Sequence, residues 1–165
     1  MGMDRQGITA LRFVEDDLTG EEVQALVAYH LADMQRHSPA DKVHALPVTA
    51  LRQPDVTFWS AWIGEAIAGI CALRHLSDDH GELKSMRAAP EWRGHGVGEA
   101  MLVHLLSEAR RRGYARVSLE TGRTEPFHPA VGLYRKHGFV PCPAFADYVI
   151  DDFSQCLTLD LSGRA

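Results

Sequence analysis

The chain has 165 residues, 45% hydrophobic and 24% charged, with a formal net charge of -5. That length and composition predict one folded domain over 1–165 with a sizeable core. The acidic balance excludes general nucleic-acid binding, whose affinity comes from accumulated Lys and Arg. No apolar run approaches the ~20 residues of a membrane span, and no basic segment leads into an apolar stretch at the start, so no membrane contact and a cytoplasmic location are expected.

In chain order, residues 8–14 read as a first strand. Leu18-Thr19-Gly20-Glu21-Glu22 opens a helix, with Thr19 as N-cap and Glu22 completing a capping box; Leu26, Tyr29, Leu31 and Met34 follow, and Pro39 ends it. A short helix over 40–51, interrupted by Pro47, precedes strands 56–63 and 66–73, which form a hairpin across Gly64-Glu65. A strand over 82–88 leads to a glycine-rich loop and a helix over 99–112. The triple Arg110-Arg111-Arg112 lies in its last turn before Gly113, where cations meet the helix dipole, so it reads as a helix end. A strand over 115–121, a helix over 129–137 and two strands over 139–150 and 153–161 complete the chain. This order suggests an α/β fold with a mixed, mostly antiparallel sheet and helices on both faces.

Cys71, Cys142 and Cys156 form no C-x-x-C pair and sit in or beside apolar stretches, as reduced core thiols do. The nine histidines show no ligand spacing, and no metal site is expected.

Arg93-Gly94-His95-Gly96-Val97-Gly98, between a strand and a helix, reads as a cradle for an anion. Glycines let main-chain N–H groups approach a ligand, and the first helical turn adds unpaired donors and the positive end of the dipole. A diphosphate suits it. No Lys follows any glycine, so a P-loop fails, and Glu99 stands where a dinucleotide fingerprint needs its third glycine.

The remaining pattern, Arg-x-x-Gly-x-Gly, is followed by Ala130-Val131-Gly132-Leu133-Tyr134-Arg135-Lys136-His137-Gly138-Phe139, of the form A-x-x-L-Y-x-x-x-G-F. In this order, over roughly residues 56–138, the pair resembles the GNAT superfamily of acetyl-CoA-dependent N-acyltransferases. Ser38-Pro39, His44-Ala45-Leu46, Lys84-Ser85-Met86-Arg87, Leu119-Glu120-Thr121-Gly122 and Phe145-Ala146-Asp147-Tyr148 are similar to a bacterial YsnE-like subgroup.

The resemblance implies the GNAT fold, acetyl-CoA as cosubstrate, and direct transfer of an acetyl group to an amine in a ternary complex. The amine must lose a proton, the tetrahedral oxyanion needs donors, and the departing thiolate benefits from a proton source. Tyr134 is the implied general acid. Two carboxylates compete as base: Glu82, placed like the glutamate of histone-type members, and Glu120, placed like that of ribosomal-protein N-terminal acetyltransferases. Strand parity sets Glu82, Lys84 and Met86 on one face and Leu83, Ser85 and Arg87 on the other, so Lys84 can pair with Glu82 and hold it ionised. Glu120 is slightly favoured, since it lies where neighbouring strands splay in this fold.

For the cosubstrate, the resemblance assigns main-chain groups of Met86, Arg87 and Ala88 to the pantetheine arm. It assigns the amides of Gly94, His95, Gly96, Val97, Gly98 and Glu99 to the pyrophosphate, with Arg93 adding charge. Tyr134 also contacts the cosubstrate, and His128 stands where the family often has Asn. The acceptor is expected near His30, Met34, His37, Ser38, His44, Lys84 and Tyr148, and Lys84 with Arg87 permits a carboxylate-bearing substrate such as an amino acid. A small-molecule primary amine is the expected acceptor. A peptide or protein acetyltransferase and a non-catalytic acetyl-CoA sensor are the alternatives, and a homodimer is left open.

Overall fold

Residues 66–73 are apolar at consecutive rather than alternate positions, and a strand of that kind must be covered on both faces. The computed structural model, which describes residues 11–162, shows how this is done. Its elements are β1 (Leu11–Glu15), α1 (Glu21–His37), α2 (Val48–Leu51), β2 (Val56–Ile63), β3 (Ala66–Ser77), β4 (His80–Ala88), α3 (Val97–Arg111), β5 (Arg116–Gly122), α4 (His128–Lys136), β6 (Val140–Pro141) and β7 (Ser154–Asp160). Residues 8–10 of the expected first strand lie outside the described residues.

The strands form one seven-stranded sheet in the order β1-β2-β3-β4-β5-β7-β6. Every neighbouring pair is antiparallel except β4 and β5. On one face, Met101, Leu102, Leu105 and Leu106 of α3 pack with Cys71, Leu73, Leu83, Val117 and Leu119. On the other, Val23, Leu26 and Val27 of α1 and Leu51 of α2 pack with Phe58, Ile70 and Ala72. Each such side chain, fully buried, contributes on the order of 1.5–3 kcal/mol. The mixed, mostly antiparallel α/β architecture with helices on both faces is the one the element order suggested.

Local departures have local causes. Thr19 does not cap α1; Gly20 holds the cap position without a side-chain bond, and the Thr19 hydroxyl donates to Asp17 at 2.7 Å. The helix is favoured instead by Glu21 and Glu22 against its positive end. The expected helix over 40–51 breaks into a single 3-10 turn, Ala40–Lys42, and α2, because Pro47 has no N–H and disfavours a helical residue before it. The expected strand over 139–150 pairs only at Val140 and Pro141, since Pro141 and Pro143 remove ladder donors. Residues 142–153 run irregularly over the sheet.

Two features of β4 shape everything that follows. Ile70 pairs with Arg87 and Ala72 with Lys84, so Ser85 and Met86 together oppose Cys71 in a bulge, and Ser85 takes φ 55°. The bulge overturns strict parity: Met86 packs on the α3 side with Leu83, while Arg87 turns to α1. Second, the parallel pairing with β5 covers only His80–Arg116, Gly81–Val117 and Glu82–Ser118. Beyond Glu82 the two strands part.

Candidate active site

The parting strands open a cavity of about 560 Å³. Among the described residues, β4 beyond Glu82 has no strand on its β5 side, which leaves a free main-chain edge along Met86, Arg87 and Ala88, all in the cavity lining. An extended chain of amides can add to such an edge as a strand would.

At the mouth lies the glycine loop. Gly94 (φ 80°) and Gly96 (φ 84°) occupy the left-handed region, which glycine enters without steric cost, and a Cβ on Gly94 would meet nothing within 4 Å. The first bond of α3 runs from Ala100 N–H to Gly96 O at 3.1 Å, so the amides of Val97, Gly98 and Glu99 have no intrahelical acceptor. Their side chains are occupied elsewhere or absent: Val97 is buried in the core, and Glu99 accepts from Lys136 at 2.9 Å and His137 at 2.7 Å. The His95 ring lies edge-on to Trp92, with centroids 5.5 Å apart. Arg93, Gly94 and Gly98 line the cavity, so this cradle and the cavity are continuous, and its donor set fits a diphosphate.

Tyr134 enters from α4, 9% exposed, packed beside Phe139 and lining the cavity. Burial pushes its phenol up to about 12, so it holds its proton at neutral pH. Among the described residues its hydroxyl has no hydrogen-bond partner.

The two carboxylates sit in unlike surroundings. Glu82 is 1% exposed; its Oε2 accepts from the Tyr148 hydroxyl and lies 3.6 Å from Lys84 Nζ, while Arg74 Nη1 stands 3.8 Å from Oε1. Lys84 Nζ donates to Tyr148 Oη at 2.8 Å and to the His44 carbonyl at 3.1 Å. Burial lowers the Lys84 ammonium, with Glu82 opposing, and burial and Glu82 together raise the Tyr148 phenol. The expected Lys84–Glu82 pair therefore exists, with a tyrosine inserted into it. Glu120, on β5, also lines the cavity; burial raises its carboxyl, and the Lys84 charge pulls the other way.

His30, Met34, His37, Ser38 and His44 line the cavity too, whereas Tyr148 does not line it and instead bonds Glu82 and Lys84, which do. His128 does not line it: its Nε2 bonds the Arg123 carbonyl oxygen at 3.0 Å. Among the charged lining residues, Asp33 escaped the sequence reading. Asp33, one turn after His30 on α1, lies 2.8 Å from Arg87 Nη2, and its i,i+3 spacing from His30 was the available signal.

Comparison with known proteins agrees with this geometry. The pattern of the Acetyltransferase (GNAT) family matches residues 17–139. The chain is 53% identical over 146 residues to the uncharacterized N-acetyltransferase YedL of Escherichia coli (strain K12), covering 88% of this chain and 92% of that one. It is 47% identical to the uncharacterized N-acetyltransferase YsnE of Bacillus subtilis (strain 168), covering 88% and 97%. A crystal structure of an acyl-CoA N-acyltransferase from Klebsiella pneumoniae superposes with a TM-score of 0.72 at 27% identity, covering 92% and 97%. A GNAT acetyltransferase from Elizabethkingia anophelis, solved with acetyl-CoA bound, shares the fold with a TM-score of 0.66 at 16% identity, covering 92% and 99%. With the glycine cradle, the splayed strands and these relatives in agreement, the chain belongs to the GNAT family and is an acetyltransferase.

Proposed function

We propose that this acetyltransferase moves the acetyl group of acetyl-CoA directly to the primary amine of a small molecule, with both substrates bound together. Acetyl-CoA supplies an activated thioester; Arg93 and the amides from Gly94 to Glu99 hold its pyrophosphate, and the free edge at Met86, Arg87 and Ala88 holds its pantetheine arm. The observation that carries the reading is convergence: the cradle, the Tyr134 ring and the Glu120 carboxyl all border one cavity. No cysteine lines that cavity, and burial raises all three thiols, which suits direct attack by the amine over a thiol relay.

Glu120 acts as general base, alone or through a water. Its raised carboxyl brings it closer to the operating pH than an ordinary glutamate, whereas Glu82 is already bound to Tyr148. Tyr134 gives its proton to the departing thiolate. A single domain over 1–165 carries the whole reaction, and its free cysteines suit the reducing cytoplasm. Among the described residues no helix is long and apolar enough to cross a membrane.

The test is thiol release from acetyl-CoA by purified protein against amines, amino acids and peptides. Turnover with one small-amine class, falling about 10²-fold or more in kcat for Tyr134→Phe, is expected. Turnover confined to peptides would replace the small-molecule reading, and binding without any turnover would leave a sensor.

A further inference from the structure

The α1 side of the cavity presents donors whose other atoms are already engaged. Arg87 is held on three sides: Nε donates to His30 Nδ1 at 2.9 Å, Nη2 lies 2.8 Å from Asp33, and the guanidinium stands 5.6 Å from the Tyr29 ring centroid. An arginine Nε can only donate, so His30 Nδ1 must accept, and the ring proton therefore sits on Nε2. Burial and the Arg87 charge drive the imidazole down to about 3, which keeps it neutral. Both residues line the cavity, and among the described residues neither Arg87 Nη1 nor His30 Nε2 has a hydrogen-bond partner.

Of the cavity's other two cations, Arg93 stands at the glycine loop and Lys84 is committed. Lys84 has a side chain only 8% exposed, and its ammonium is shared among Tyr148, the His44 carbonyl and Glu82. The acidic side of the cavity, with Glu120, suits the reacting amine; the His30–Arg87 edge offers only donors. A ligand group that meets both must accept a hydrogen bond from each, and a carboxylate does so with two oxygens in a plane and a charge opposite to that of Arg87.

We infer that His30 Nε2–H and Arg87 Nη1 form a carboxylate subsite, so that the acceptor is an amine that also bears a carboxylate. The inference rests on the acetyl-transfer reading for its chemistry, while the subsite itself is a matter of binding. Asp33 has two effects on it. It fixes the guanidinium, and its own charge competes with the ligand for Arg87, so neutralising it should strengthen carboxylate binding.

The experiment measures thermal protection of the CoA-saturated protein by the common L-amino acids, and by the amide and the decarboxylated amine of each binder, alongside acetyl-CoA-dependent thiol release. An amino acid is expected to bind at least about 10-fold tighter than its amide. In Arg87→Gln that preference should shrink to within about 3-fold, and in Asp33→Asn it should widen. A purely structural Arg87–Asp33 pair would make both variants worse, so the opposite signs are the diagnostic result. If Arg87→Gln does not fold, His30→Phe with Asp33→Asn supplies the same contrast. Equal binding of acid and amide, or no binding by any amino acid, overturns the subsite. Preferential binding of an acid without acetyl transfer keeps the subsite and removes the transferase proposal; acetylation of plain amines as fast as their carboxylated forms does the reverse.

Discussion

Glu82 and Glu120 lie on one face of the sheet, since Glu82 pairs with Ser118 on the neighbouring strand and Glu120 is two residues further. Their environments differ, and the proposal that Glu120 is the base rests on that difference. A base must be ionised before it accepts a proton, and the Glu120 carboxyl is raised by burial, so kcat/KM should fall on the acid side above the ordinary glutamate value of ~4.3. Glu120→Gln should remove that limb and lower kcat by about 10²–10⁴-fold. Glu82→Gln should keep the limb while destabilising the fold by about 1–3 kcal/mol, because Lys84 then stays buried without its counter-charge. Loss of the acidic limb in Glu82→Gln instead would exchange the two roles. From sequence both residues were visible as candidates with only a slight lean to Glu120, because the contrast between their surroundings comes from Tyr148, far along the chain, donating to Glu82.

At the scale of elements, close packing at Gly122 ties the end of β5 to the cavity wall. A Cβ there would lie 2.6 Å and 2.7 Å from Phe127 ring atoms and 2.8 Å from Phe153, and both rings line the cavity. Gly122→Ala should therefore cost about 1–3 kcal/mol and weaken acceptor binding as the rings are displaced. Gly132, within α4, has nothing within 4 Å of its Cβ position, so Gly132→Ala should stabilise by about 0.5–1 kcal/mol. Equal melting temperatures for the two variants would contradict this packing. The elements also show which signals a sequence carries. The cradle was legible because glycine at Gly94 and Gly96 reports positive φ directly and α3 follows at once. The β4 bulge was not, since Ser85 adopts φ 55° with no residue-type signature, and it moved Arg87 to the α1 face. The stretch 142–150 is apolar enough to read as strand, yet prolines end its pairing and the chain continues irregularly to Asp151, which meets Lys42 at 2.8 Å.

Over the whole molecule, the sheet is continuous at one end of β4 and β5 and open at the other, so the proposed donor site is a place the fold leaves in its own sheet. Main-chain bonds along residues 86–88 and amides at the start of α3 would then link the two halves across the gap. A ligand that binds only the folded state at 100 times its Kd stabilises by about 2.7 kcal/mol, which for a chain of this size raises the melting temperature by roughly 5–10 °C. Saturating acetyl-CoA should produce a rise of that order, with slowed amide exchange concentrated at residues 86–88 and 94–99. Gly94→Ala should lessen both effects, because its φ of 80° strains any residue with a Cβ and misdirects the loop amides. Protection spread evenly over the sheet, or absent from the loop, would mean that the donor does not bridge the open strands. Localised protection would instead make donor binding the step that completes the sheet, so that the acceptor meets a cavity whose far wall is the acetyl thioester.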